Sequence, residues 1–369
     1  MNKNRLYLFL VLIFSSLVLF AWDVAANRNF IKLMLPQTQR SSSIVASNGE
    51  SNSDTKPGGI TKDCLLPSFV ALPNMGVDTA PSSSVVADFN NDGKLDVITA
   101  NSIANNISRL FGNDIGNLTS QIQIPVGLQP TALAALDFNQ DGNQDLVVAN
   151  RLSQTVTLLL GDGTGNFNSR NNIFLGSLEP ISIRVGDFNN DGRLDIASAN
   201  TNNSISVLTN VDGESLNPTI VLNTGQLPNS LEVADLDHDG NLDIVIGKSD
   251  SEELTIFVGD GTGSFTSKNI LAGCGVAPKI NGVGDFNHDG LIDLLVNGNT
   301  NRVLFGDNNG QFNKAIDIVK GSISTFGDFN NDSNLDVLVF VGDKNFSLVL
   351  SDGKGRAKTT TNFSIDVDL

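Results

Sequence analysis

Beyond the first 62 residues the chain alternates short apolar runs with short polar loops in one recurring order: strand, acidic loop, strand, variable loop, strand, glycine-rich turn, strand. The second period shows every part. Apolar stretches at 132–136, 145–149, 155–160 and 172–175 predict strands, with an acidic loop at 137–145 and the turn Gly161-Asp-Gly-Thr-Gly-Asn-Phe167 between them. Leu146, Val147 and Val148, then Val156, Leu158, Leu159 and Leu160, leave almost no polar face, so these strands need cover on both sides. Four short antiparallel strands in a period of about 45–50 residues make one β-propeller blade, and stacked neighbouring blades supply that cover.

The acidic loop has the form Asp-x-Asx-x-Asp-Gly-x-x-Asp and occurs six times, the first being Asp88-Phe-Asn-Asn-Asp-Gly-Lys-Leu-Asp96. First aspartates are 49, 50, 48, 50 and 43 residues apart. Calcium takes six to eight oxygens, and a short loop delivers them from alternating positions with one backbone carbonyl among them. Positions 1, 3, 5 and 9 are oxygen side chains in every copy, and position 7 offers its carbonyl. The candidate ligands are therefore Asp88, Asn90, Asp92, Lys94 and Asp96; Asp137, Asn139, Asp141, Asn143 and Asp145; Asp187, Asn189, Asp191, Arg193 and Asp195; Asp235, Asp237, Asp239, Asn241 and Asp243; Asp285, Asn287, Asp289, Leu291 and Asp293; and Asp328, Asn330, Asp332, Asn334 and Asp336. Gly93 and its counterparts at position 6 suit a turn through positive φ, whereas the sixth copy has Ser333 there. A turn rich in Asp, Asn and Gly for backbone reasons alone does not explain four ligand positions repeated six times. Up to six Ca²⁺ ions are expected, and each loop is followed by a strand rather than by the helix of an EF-hand.

The formal charge of −17 is less than it looks, because 19 of the 40 acidic residues lie inside these loops. Six divalent ions would bring it to −5. No basic patch exists, which excludes nucleic acid as an expected partner. Zinc and redox metals are excluded by hard oxygen ligands and only two histidines, His238 and His288, both at position 4 of a loop. That placement also leaves no Ser-His-Asp or Cys-His set for an enzyme. Tyr7 and Trp22 are the only Tyr and Trp, so the repeats rely on Phe, often at position 2 (Phe89, Phe138, Phe188, Phe286, Phe329), where packing is its expected job.

Lys3 and Arg5 precede seventeen uncharged residues, 6–22. This reads as an address to the secretory pathway: an uncleaved helical anchor in type II orientation, or a signal peptide cut after Ala26. Residues 1–26 form that segment, 27–62 a Ser/Asn/Gly-rich flexible stalk, and 63–369 the repeats. Cys64 and Cys274 pair in an oxidising compartment or remain two idle thiols. Asn106, Asn117, Asn202, Asn345 and Asn362 open glycosylation sequons.

The loop core, with the turns Gly161-Asp-Gly-Thr-Gly-Asn-Phe167 and Gly259-Asp-Gly-Thr-Gly-Ser-Phe265, resembles the integrin-α-like FG-GAP repeats and the related VCBS repeats across residues 64–369. The resemblance implies a calcium-stapled all-β propeller. Integrin-type propellers have seven blades, but six motifs appear here, so six blades are expected and seven kept as the alternative; residues 69–72 read as a lone strand that could close the ring. The third turn, Val211-Asp-Gly-Glu-Ser-Leu216, and the sixth, Ser351-Asp-Gly-Lys-Gly-Arg356, look degraded. Metal loops and glycine-rich turns share one face of such a fold; the loops at 101–105, 150–154 and 200–203 share the other and vary between repeats, which is where specificity is written. The expected function is an extracellular recognition or adhesion module for a protein or glycan. A structural spacer without a ligand, or a propeller hydrolase or lyase, are the alternatives.

Overall fold

The computed structural model describes residues 77–364, apart from 115–116, 177, 214, 218–219 and 343–344, together with two short strands near the N-terminus. Six four-stranded antiparallel sheets follow one another over 81–125, 130–174, 180–223, 228–271, 279–318 and 322–364, and no helix occurs among the described residues. The chain is a β-propeller of six blades, each built from four consecutive strands. Residues 69–72 and Cys64 lie outside the described residues, and Cys274 is buried.

The uninterrupted apolar runs become the second strands. Asp96–Asn101, Asp145–Asn150, Asp195–Asn200 and Asp243–Lys248 are buried at every residue. Fourth strands lie at the rim, and that of blade 4, Phe265–Leu271, is mostly exposed or half-buried. Between blades the cover is mutual: Phe89, Ile98 and Ile107 of blade 1 pack with Leu146, Val148 and Leu159 of blade 2. The position-2 residue enters each such seam, as Phe138, Phe188, Leu236 and Phe286 do in the next four. Phe329 is buried to 1 % exposure. Each buried Phe contributes about 2–3 kcal/mol of apolar transfer. Phe89 and Phe188 also meet the Phe that ends the next blade's glycine-rich turn edge to face, with centroids 6.2 Å from Phe167 and 5.9 Å from Phe265.

First strands carry a bulge near their start, and in two blades the bulged hydroxyl reaches the next blade: Ser82 Oγ donates to Pro130 O at 2.7 Å and Thr131 Oγ1 to Pro180 O at 2.9 Å.

Two expectations need correction. Over 6–22 a helix was expected, but the structure has two strands, Phe9–Ile13 and Ser16–Phe20, paired antiparallel. A continuous apolar run has no periodicity that separates helix from strand, and its Phe, Val and Ile suit either. The sixth glycine-rich turn is not degraded in its backbone. Asp352 accepts the N–H of Lys354 at 2.9 Å and of Arg356 at 3.1 Å, as Asp162 does for Thr164 and Asn166, so Lys354 in place of Thr changes only the outward side chain. The third turn is reduced, and the strand after it has four residues, Ile220–Asn223.

Candidate metal centre

Each acidic loop folds around its own carboxylates. In the first, Asp88 accepts the N–H of Asp92 at 3.1 Å and of Gly93 at 2.7 Å, while Asp92 accepts that of Lys94 at 2.9 Å. Asn90 accepts from Asp92 N at 3.1 Å and donates to Asp92 Oδ2 at 3.2 Å. The second, third and fifth loops repeat this set, so side-chain oxygens of positions 1, 3 and 5 are gathered on one side of the turn. The tight turn needs positive φ at position 4 and at position 6: Asn91 has φ +56° and Gly93 +79°. Ser333 adopts φ +69° in the sixth loop, a conformation that costs a non-glycine residue about 1 kcal/mol.

The fourth loop departs from the set. Asp237 stands at position 3, and ligand oxygens of Asp235, Asp237 and Asp239 lie within 4.8 Å of one another. Asp237 has no amide to donate, and Asp235 Oδ1 is buried without a hydrogen-bond partner. Asn330 Oδ1, at position 3 of the sixth loop, is likewise buried and unpartnered. In loops 1 and 3 the position-7 side chain leans on position 5 instead, Lys94 Nζ at 3.8 Å from Asp92 and Arg193 Nη2 at 2.9 Å from Asp191.

Position 9 does more than the sequence suggested. Asp96, Asp145, Asp195, Asp243, Asp293 and Asp336 are fully buried. One oxygen of each accepts the position-2 N–H, and the other accepts the N–H of the residue that opens the glycine-rich turn, as Asp96 does from Phe89 at 3.0 Å and Gly112 at 2.9 Å. This carboxylate ties the loop to the end of the third strand. Burial pushes its pKa up, to about 6 in Asp96, Asp195 and Asp243 and about 7 in Asp293 and Asp336.

Position 4 was read only as a place where the histidines are occupied, and its reach was missed. Its positive φ sends the side chain across the seam: Asn91 Nδ2 donates to Asn143 Oδ1 at 2.8 Å, Gln140 Nε2 to Gly192 O at 2.7 Å, and Asn190 Nδ2 to Asn241 Oδ1 at 2.7 Å. His288 Nε2 lies 2.8 Å from Asn334 Oδ1. His238 is exposed, and the residue at position 7 of the fifth loop, which corresponds to the acceptors used by the other links, is Leu291, whose side chain offers no acceptor. Beneath three of these links sits a glycine of the neighbouring turn. A Cβ on Gly163, Gly261 or Gly353 would come within 2.3–2.4 Å of Asn143, Asn241 or Asn334 Oδ1.

On the opposite face Asn101, Asn150 and Asn200 end the second strands, fully buried, and hold the variable loops; Asn101 Nδ2, for example, donates to Asn106 Oδ1 at 2.7 Å. Lys248 occupies the same place in blade 4, 3.6 Å from Glu253. Of the sequon asparagines there, Asn202 and Asn345 are exposed, but Asn106 spends its amide nitrogen on Asp78 Oδ2 at 2.7 Å.

Fold and loops together define a six-bladed propeller with an Asp-rich loop at the same corner of every blade. FG-GAP-like repeats match the chain at residues 88–148, 137–198, 187–246, 240–296 and 285–339, and the chain belongs to that family. The matched units begin at the acidic loop, one strand later than the blades. No curated protein matches by sequence. Among solved structures it is similar to an Agrocybe aegerita lectin that recognises non-reducing terminal N-acetylglucosamine (17 % identity, TM-score 0.56, covering 76 % of this chain and 79 % of that one). It is also similar to the periplasmic gluconolactonase of Pseudomonas aeruginosa (17 %, 0.57, 79 % and 87 %) and to a Lactobacillus plantarum protein (16 %, 0.56, 78 % and 86 %). At these identities the likeness is one of fold.

Proposed function

We propose that the protein is an extracellular recognition or adhesion propeller whose acidic loops bind calcium as structural staples. The division of the two faces carries this reading. On one face, aspartates and asparagines are committed to repeated turns and inter-blade links; on the other, the loops differ from blade to blade. Calcium fits what the loops offer: hard oxygens at positions 1, 3 and 5, a fourth loop with three carboxylates and no internal cation, and the unpartnered Asp235 Oδ1 and Asn330 Oδ1. The ion would be held by the side chains of positions 1, 3, 5 and 9 and the carbonyl of position 7. It would supply charge neutralisation and rigidity, not a reaction. A carbohydrate or protein ligand would meet the variable face, where sugar stacking rests on Phe because the repeats have neither Trp nor Tyr. The N-terminal segment supports a secretory address.

Binding to glycan and protein arrays with calcium and with EGTA tests the reading. Retention of a ligand in calcium and its loss in EGTA is expected. Binding indifferent to EGTA refutes the staple as a condition of recognition, and turnover of a sugar lactone or glycoside refutes the non-enzymatic role.

A further inference from the structure

Blade 4 departs from the first three at the variable-loop end of its second strand. Where Asn101, Asn150 and Asn200 hold the loops of those blades, it has Lys248, with 7 % of its side chain exposed. The ammonium has two partners among the described residues, both long: Asn269 Oδ1 at 3.5 Å and Glu253 Oε2 at 3.6 Å. Asn269 Oδ1 in turn accepts from Thr255 Oγ1 at 2.7 Å. These side chains come from the second strand, the third (Glu253–Gly259) and the outer strand, and they share one side of the blade. Ile246 and Phe257, on that side of the second and third strands, belong to the seam with blade 3, and Asn269 pairs with Thr255. Blades 2 and 6 repeat the hydroxyl-to-amide bond, Thr157 Oγ1 to Asn172 Oδ1 at 2.7 Å and Ser347 Oγ to Asn362 Oδ1 at 2.6 Å. Neither sets an amine beside it, because Asn150 and Val341 stand in the place of Lys248.

We propose that Lys248 and Asn269 join in an isopeptide bond that the folded blade forms by itself, going beyond the recognition reading and independent of it. Aminolysis of a carboxamide needs an amine, a base to free its lone pair, and a donor on the carbonyl oxygen. Glu253 is the base and Thr255 the donor. Glu253 takes a proton from Lys248 Nζ, whose freed lone pair attacks Asn269 Cγ. That carbon is bonded to the oxygen 3.5 Å from Nζ, so a small side-chain rotation brings it to attack distance. Thr255 Oγ1 holds the developing oxyanion through the hydrogen bond it already makes. Two protons pass from Nζ by way of Glu253 to Nδ2, the Nζ–Cγ bond replaces the Cγ–Nδ2 bond, and ammonium leaves. A protonated amine and a carboxamide thus become a secondary amide and ammonium, a balance that needs no co-reactant. Asn269 is exposed on the outer strand, which gives the ammonium its exit, while burial of Lys248 keeps water from the attacking side. The product ties the outer strand to the second strand across the third and fixes the rim of blade 4 against peeling.

Mass spectrometry of the purified full chain, denatured for the measurement, tests this. The expected mass is lower than that of the sequence by one ammonia, and proteolysis should yield a branched peptide joining Lys248 to Asn269. Ring closure at an Asn-Gly pair such as Asn309-Gly310 also releases ammonia, so the branched peptide decides. Asn269→Ala, at an exposed rim position, and Lys248→Arg, which keeps the charge beside Glu253, should each lack the link and return the sequence mass. Glu253→Gln should slow its formation about a hundredfold, leaving a minor linked fraction in freshly purified protein. A folded chain without the branched peptide overturns the proposal, as does an ammonia loss that persists in full in Asn269→Ala. Undiminished linkage in a Glu253→Gln chain with an unchanged melting curve overturns the proton transfer through Glu253. The parent chain alone decides the bond, so a variant that fails to fold does not hide the answer. Preparation in EGTA should leave the link unchanged, so failure here and failure of the EGTA-sensitive recognition reading are read in separate assays.

Discussion

Asp237→Asn should stabilise the protein without calcium and lose that advantage with it. In the fourth loop three carboxylates have oxygens within 4.8 Å of one another. A like-charge pair near 4 Å costs about 1 kcal/mol in water-like surroundings, and Asp237 takes part in two such pairs. Screening and relaxation leave about 1 kcal/mol for their removal. Asn at this position in other loops adds a bond the aspartate cannot make, since Asn189 and Asn287 donate to the position-5 carboxylate at 3.1 and 2.9 Å. That bond contributes about 0.5–1 kcal/mol. Together these predict about 1.5–2 kcal/mol, or about 3–4 °C in Tm for a domain of this size. With calcium most of this gain is cancelled, because an anionic ligand becomes neutral and affinity at that site falls about tenfold, worth about 1.4 kcal/mol of linkage. Scanning calorimetry in EGTA and in millimolar calcium measures both. A variant that melts no higher than the parent in EGTA refutes the charge argument, and an equal gain in both buffers refutes the metal site.

Chelation of the parent chain should lower Tm appreciably, since each ion binds only the folded loop; an unchanged melting curve in excess EGTA removes the calcium assignment. In EGTA, stability should fall as pH rises from about 4 to 7. The position-9 aspartates have folded pKa values raised to about 6–7 by burial, so the folded chain binds more protons than the unfolded chain over that window and their contribution is complete only below the unfolded value. Calcium, which needs the ionised form, should flatten this slope, and Tm against pH in both buffers checks it. Gly261→Ala should cost about 2–3 kcal/mol in urea unfolding, from strain at φ +72° and a Cβ 2.3 Å from Asn241 Oδ1, whereas Gly240→Ala at φ +90° meets nothing and should cost about 1 kcal/mol. Equal losses would show that the inter-blade link beside Gly261 contributes nothing.

The repeat was legible because one nine-residue loop states its period and the apolar runs after it state that both faces are buried. Those two signals fix a stack of blades, and the position-2 Phe adds the seam. Connections between repeats were harder to read. Asn91 and Asn143 are 52 residues apart, and nothing within either repeat says that they touch; only the positive φ at position 4 turns the side chain toward the neighbouring blade. Asp96 looked like a metal ligand alone because its second task, accepting the N–H of Gly112, depends on where the third strand ends. The run 6–22 was misjudged in conformation because uniform hydrophobicity carries no period.

The inter-blade links follow a pairing that spans two parts of each repeat. Where position 7 is Asn (Asn143, Asn241, Asn334), the third residue of the same blade's turn is Gly (Gly163, Gly261, Gly353), which leaves room for the amide and its partner from the preceding loop. Where position 7 is Lys94, that turn residue is Asp114, and the two form a salt bridge at 3.3 Å. In blade 5 the pair is Leu291 and Asn308, and the preceding loop's His238 is left without the acceptor that His288 finds in Asn334. Leu291→Asn together with Asn308→Gly should therefore install the missing link between blades 4 and 5, whereas Leu291→Asn alone sets two amides against each other. One side-chain hydrogen bond contributes about 0.5–1.5 kcal/mol, and the loss of part-buried Leu291 offsets some of it, so the double variant should gain about 0.5–1 kcal/mol over the Asn308→Gly single. Adding His238→Ala should abolish the gain. A gain that survives His238→Ala, or a Leu291→Asn single that matches the double, would mean that position 7 and the turn are not coupled through the neighbouring loop.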